Sequence, residues 1–159
     1  MPPAPTPKAL FLTWRTYGTW LPGDERGWIS RHRNGFGEPV HASDIRLEEA
    51  AKGQMRRSAV LLSGHDRLRA DEVIRECCAF HGWTVVALNV RTNHVHTVVT
   101  SEEQPKRVLT ALKARVTRVF RANGWTGADG SLWAKGGSAR VLWDDEGLAA
   151  AVHYVKYGQ

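Results

Sequence analysis

His94 and His96 stand two apart in the stretch "NVRTNHVHTVVT", residues 89 to 100. The stretch reads as a β-strand, and on a strand residues i and i+2 share a face. Both imidazoles therefore project together, with Val95 pointing the other way. Two imidazoles at that spacing can hold one divalent cation if further ligands come from elsewhere. In a chain with seven histidines such a pair also arises by chance, so on the spacing alone a pair of surface or satisfied histidines is the commoner reading. Tyr154 is the second group with chemistry to offer. It falls in "DDEGLAAAVHYVKYGQ", a helix pattern in which Leu148, Ala151, Val152 and Val155 form the apolar stripe. Tyr154 sits beside that stripe and Tyr157 lies further round. A tyrosine on such a helix is long enough to reach a phosphate as a nucleophile. An unperturbed phenol ionises near pH ~10, so it needs help to attack at neutral pH.

The elements that must position these groups are legible along the chain. "ALFLTWRTYG", residues 9 to 18, reads as a first strand closed by Gly18. A segment rich in Gly, Pro and charge follows, and "ASDIRLEEAAKGQMRRS" holds a short helix weakened by Gly53. Ser63 with Asp66 matches a capping box and opens a firmer helix that Gly82 stops. Leu68, Ile74, Cys77, Cys78 and His81 are expected on its inner side. "WTVVALNV" and "HVHTVVT" make a hairpin around "RTN", where Asn93 shapes the turn. "PKRVLTALKARVTRVFRANG" is an amphipathic helix from Pro105 to Gly124. Val108, Leu109, Leu112, Val116, Val119 and Phe120 form its apolar stripe; Lys106, Arg107, Lys113, Arg118 and Arg121 occupy the other side. "SLWAKGGSARVLW" is a strand broken at Gly136 and Gly137, and the tyrosine helix comes last. Strand, helix, strand, strand, helix, strand, helix is the order of an α+β domain, an antiparallel sheet with helices packed on it.

Composition narrows the partner. The chain has 159 residues and a formal net charge of +6, a balance that suits a polyanion such as nucleic acid. Lys113, Arg118 and Arg121 are candidate phosphate contacts. Of the seven tryptophans, Trp20 and Trp28 are placed to stack on unpaired bases, whereas Trp133 is expected in the core. No apolar run approaches the ~20 residues needed to span a membrane. The proline-rich "MPPAPTPKAL" does not read as a signal peptide. The adjacent Cys77 and Cys78 read as buried small side chains in a reducing cytoplasm, neither bridged nor metal-binding.

Read together, "NHVH", "LW.KGG...VL" and "HYV..GQ", with "TYGTWLPGDERGW" near the start, resemble the single-tyrosine transposases of the HUH superfamily, in particular the REP-associated tyrosine transposases. The resemblance runs from about Ala9 to Gln159. It implies a ferredoxin-like or RRM-like sheet in one domain over residues 9–159; the prolines mark residues 1–8 as a disordered lead-in, and the Gly, Pro and charge content marks about 19–62 as a long loop insertion. It implies that His94, His96 and a polar residue of the tyrosine helix hold Mg²⁺ or Mn²⁺. It implies that Tyr154 attacks single-stranded or hairpin DNA, giving a 5′-phosphotyrosine and a free 3′-OH before strand transfer, in a cytoplasmic, nucleoid-associated setting. Relatives work as homodimers exchanging tyrosine helices or as monomers. A domesticated relative that only binds single strands is the alternative. The chain departs from the pattern in two places. Arg91 and Thr92 stand where relatives have Met-Pro. Gly158 stands four residues after the tyrosine, where relatives place a polar ligand, which leaves Gln159, or less readily His153, to serve.

Overall fold

A computed structural model describes residues 2–19, 42–53, 58–125 and 130–158. Trp20, Trp28 and Gln159 lie outside the described residues. The elements are β1 (Ala9–Arg15), α1 (Ile45–Gly53), α2 (Gly64–His81), β2 (Thr84–Val90), β3 (His94–Thr100), α3 (Pro105–Ala122), β4 (Ser138–Leu142) and α4 (Asp145–Tyr157). The four strands form one sheet in the order β2-β3-β1-β4, and each neighbouring pair is antiparallel. This is the expected α+β class with the expected element order, and α1 is the short helix expected in the segment after β1. No described helix is long and apolar enough to cross a membrane.

Strand alternation divides the sheet into two chemically different faces. Leu10, Leu12 and Trp14 of β1 and Val95 and Val99 of β3 point to one face, where α2 and α3 close the main core. Phe11 of β1 and Val98 of β3 point to the other, where Ala151 and Val155 of α4 cover a smaller core with Ala87 and Leu142. β3 is flanked by β1 and β2 and covered on both faces, so its residues 95–99 are all buried. That burial explains how a strand with two histidines still reads as apolar.

The helices begin and end where their side chains dictate. The Ser63 hydroxyl accepts the Asp66 N–H at 3.0 Å, and the Ser63 N–H donates to the Asp66 carboxylate at 3.0 Å. Gly82 closes α2 with φ +73°. α2 buries Ala70, Val73, Ile74, Cys77 and Cys78. Leu68 does not join them and is 71% exposed. At ~100° per residue it falls ~200° from Ala70, on the solvent side. His81, also expected on the inner side, instead stacks on Trp83 with ring centroids 4.3 Å apart.

Both thiols are buried and unbridged. Burial raises the Cys77 thiol against the pull of Arg115. Burial, with Cys77 adding, pushes the Cys78 thiol from 9.0 up to about 12, opposed by Arg75. The native state therefore keeps a proton that the unfolded state has lost between those values, so Cys78 makes stability fall as pH rises from 9.0 toward about 12. Near pH ~9 native Cys78 is expected to alkylate at least ~100-fold more slowly than in urea, as followed by intact-mass spectrometry.

The glycine pair before β4 has a defined task. Gly137 has φ +141°, and a Cβ there would lie 2.8 Å from the Thr13 carbonyl oxygen and 3.2 Å from the Trp14 Cβ. The segment can lie against β1 only without a side chain. Gly137→Ala is expected to lower stability by ~2–4 kcal/mol in urea titrations.

Candidate functional site

His94 and His96 lie on the α4 face of the sheet. His96 is 3% exposed, while His94, at the start of the strand, is half-buried. Their ring centroids are 4.5 Å apart. Each ring is oriented by a polar neighbour at Nδ1: Asn93 Oδ1 lies 2.6 Å from His94 Nδ1, and Thr13 Oγ1 lies 2.9 Å from His96 Nδ1. Contacts of this kind hold the plane of each ring. Asn93 thus does more than shape the turn. Its backbone carbonyl also accepts the Thr16 N–H at 2.9 Å, tying the entry of β3 to the end of β1.

α4 brings Tyr154 to this pair. Asp144 caps the helix by accepting the Gly147 N–H at 2.6 Å. Ala151 and Val155 anchor its inner side. Tyr154, one step round from Val155, then falls over the sheet beside His96. The two rings meet edge to face with centroids 5.3 Å apart. Phe11 of β1 closes the arrangement, 6.1 Å from the His96 ring and 6.0 Å from the Tyr154 ring. Tyr154 remains 45% exposed, and Tyr157 is 72% exposed on the outer side. Tyr157 packs against His153, with ring centroids 5.2 Å apart.

The donor set tests the fit of a metal. Among the described residues no group of three or more His, Cys, Asp or Glu gathers. The two imidazoles fit two positions of a divalent ion and leave the others to oxygen donors, which Mg²⁺ and Mn²⁺ readily take from water and phosphate. Gly158 offers no side chain toward the site. A Cβ there would lie 2.5 Å from Tyr154 Cδ2 and 2.9 Å from the Tyr154 carbonyl oxygen.

Further polar residues that no sequence motif marks share this face. Thr13 pairs with His96 and with Ser138 across the sheet, Arg15 pairs with His94, and Arg140 pairs with Phe11. By alternation all of them point to the tyrosine side. Burial lowers the pKa of Arg140, yet a guanidinium at this depth stays charged.

The basic side chains of α3 lie on the other face of the sheet. Thr110, Lys113, Thr117, Arg118, Arg121 and Trp133 line a groove of about 530 Å³. Lys113 is engaged there, donating to the carbonyl oxygens of Ala134 at 2.9 Å and Gly136 at 2.6 Å. Burial lowers its pKa. Arg121 donates to the Gly130 carbonyl at 3.0 Å. Trp133 is buried, as expected, with its indole N–H donated to the Lys113 carbonyl at 3.1 Å.

Comparison with known proteins supplies a family. Residues 54–156 match the profile described as "Transposase IS200 like". No curated protein matches the chain. A crystal structure of a Deinococcus radiodurans protein, provisionally described as a transposase, is similar at 18% identity, covering 100% of this chain and 95% of that one with a TM-score of 0.44. The family match takes in well over half of the sequence, including both histidines and the tyrosine, and the chain belongs to the IS200-like transposase family.

Proposed function

We propose that the chain cleaves and rejoins single-stranded DNA through a covalent bond to Tyr154. The observation that carries this reading is the meeting of three side chains within one molecule: His94 and His96 with ring centroids 4.5 Å apart, and Tyr154 set edge-on to His96 at 5.3 Å. Family membership gives DNA as the partner and transposition as the process.

The chemistry follows from what each residue can do. The Tyr154 oxygen attacks the phosphorus of a phosphodiester. A bond from phosphorus to the tyrosine oxygen forms, and the bond to the 3′ oxygen breaks. The proton lost by the phenol balances the one gained by the departing 3′-OH. The product is a 5′-phosphotyrosine, which conserves one phosphoester for another, so no nucleotide triphosphate is consumed. A second 3′-OH then attacks the same phosphorus and releases Tyr154 as a phenol. His94 and His96 would hold Mg²⁺ or Mn²⁺, with Gln159 the candidate third protein ligand. When bound, the cation offsets charge on the nonbridging oxygens and on the leaving oxygen. Asn93 and Thr13 keep the two rings turned for that task. Arg15 and Arg140 place positive charge where a DNA strand would cross the tyrosine face. Arg118 is a candidate phosphate contact on the α3 side, where Lys113 and Arg121 are engaged by backbone carbonyls, and Trp20 and Trp28 are candidates for stacking on unpaired bases.

A second reading, a single-strand binder without chemistry, draws on one feature: Gly158 stands where relatives carry a ligand. One experiment separates the two. A hairpin-bearing single strand is incubated with the protein and Mn²⁺, and products are resolved on a denaturing gel. A shifted, protease-sensitive protein–DNA band supports strand transfer. Tight binding with intact DNA supports the binder. Cleavage with no adduct assigns the attack to water.

A further inference from the structure

The nucleophile's placement depends on how α4 is held against the sheet. Its apolar grip comes from aliphatic side chains alone, Ala151 and Val155 buried and Leu148 and Val152 partly buried against the smaller core. Such contacts set the depth of a helix but resist its rotation weakly, and at ~100° per residue a modest rotation carries Tyr154 away from His96. A directional bond is needed, and one is present. The Asn89 side-chain amide donates to the Val155 carbonyl at 3.0 Å. α4 ends at Tyr157, so Val155 is one of the four last residues whose carbonyls have no partner within the helix. The Tyr154 carbonyl beside it takes the Gly158 N–H at 2.9 Å.

We propose that Asn89 is the latch that positions the nucleophile: its amide holds the last turn of α4, and with it Tyr154, over His96 of the same chain. The inference rests on the strand-transfer reading above. Its strength lies in the register. Asn89 of β2 is the direct cross-strand partner of His96, and opposed residues have Cβ atoms only ~4.5–5.5 Å apart. One rung of the sheet thus carries both the imidazole and the clamp on the tyrosine helix, so the distance between nucleophile and metal ligand is set by a single pair. Gly158 fits the same arrangement. The turn closes so tightly over Tyr154 that a Cβ at 158 would lie 2.5 Å from the ring.

The test uses the full chain with Asn89→Ala and with Asn89→Asp, which keeps the size but loses the donor. Tyr154→Leu serves as the reference in which His96 has no ring above it. Three quantities are read: the NMR shifts of the His96 ring protons, the single-turnover rate of adduct formation with DNA affinity, and Mn²⁺ affinity. In both Asn89 variants the His96 shifts are expected to move toward those of Tyr154→Leu. Adduct formation is expected to slow ~10-fold or more, with DNA and Mn²⁺ affinities unchanged in Asn89→Ala. A residue that merely supported the fold would leave the His96 shifts in place. Unchanged shifts and rate in both variants overturn the latch. So does a loss of Mn²⁺ affinity equal to that of His96→Ala, which would make Asn89 a ligand. If the unaltered chain forms no adduct, the strand-transfer reading fails, and the His96 shifts alone still decide whether Asn89 holds Tyr154 in place.

Discussion

Tyr154→Phe is expected to abolish the covalent adduct while leaving the fold and the DNA affinity intact. The substitution removes one oxygen and keeps the ring. The edge-to-face contact with His96 and the contact with Phe11 are made by the ring, so the packing survives. Tyr154 is 45% exposed, and the stability change should stay within ~0.5 kcal/mol. The lost oxygen is the attacking atom, however, and removing a nucleophile commonly costs at least ~10³-fold in rate. Single-turnover gels with Mn²⁺ and a hairpin-bearing strand measure the loss, and filter binding measures the unchanged affinity. Tyr157→Phe is the matched control. Tyr157 lies on the outer side of α4 beside His153, so that variant should form adduct at the normal rate.

His96→Ala is expected to be as damaging to the reaction and worse for the fold. His96 is 3% exposed and packed between Phe11 and Tyr154, with Thr13 bonded to its ring. Truncation leaves a cavity and strands the Thr13 hydroxyl, at a cost of ~2–3 kcal/mol. It also halves the imidazole pair, and Mn²⁺ affinity should fall ~10²-fold or more with the adduct lost in parallel. His94→Ala separates the two effects. That ring sits at the entry of β3 and is only half-buried, so the variant should lose the metal comparably yet keep most of its stability. Calorimetric Mn²⁺ titration beside urea denaturation reads both quantities. Chelation of the unaltered protein should stop adduct formation without unfolding it.

Much of this arrangement is local, and local patterns are visible in a sequence. The Ser63–Asp66 cap, Gly82, the Pro105 helix and the His-x-His spacing each depend on residues within a few positions, and each lies where it was expected. The strand order β2-β3-β1-β4 depends on which faces pack, and it emerges only from the assembled sheet. The same holds for the supporting cast of the site. Thr13 reaches His96 across 83 positions, and Asn89 reaches Val155 across 66. No periodicity marks either residue, since a threonine in a strand and an asparagine near a turn look ordinary. Lys113 illustrates the reverse. It reads as one charge on a solvated basic face, yet two carbonyls of the segment before β4 claim its ammonium. Leu68 was drawn inward by its apolar character, and the helix phase set by Ala70, Val73 and Ile74 puts it outside.

The central claim is that the Tyr154 oxygen becomes joined to the 5′ phosphate of a cut DNA strand. The most direct measurement is tandem mass spectrometry of the adduct formed with Mn²⁺, after nuclease trimming and proteolysis. The account predicts a residual nucleotide on the α4 peptide, located at Tyr154 and absent when either His94 or His96 is replaced by alanine. A nucleotide located at Tyr157, or cut DNA with a 5′ phosphate and no modified peptide, would contradict it.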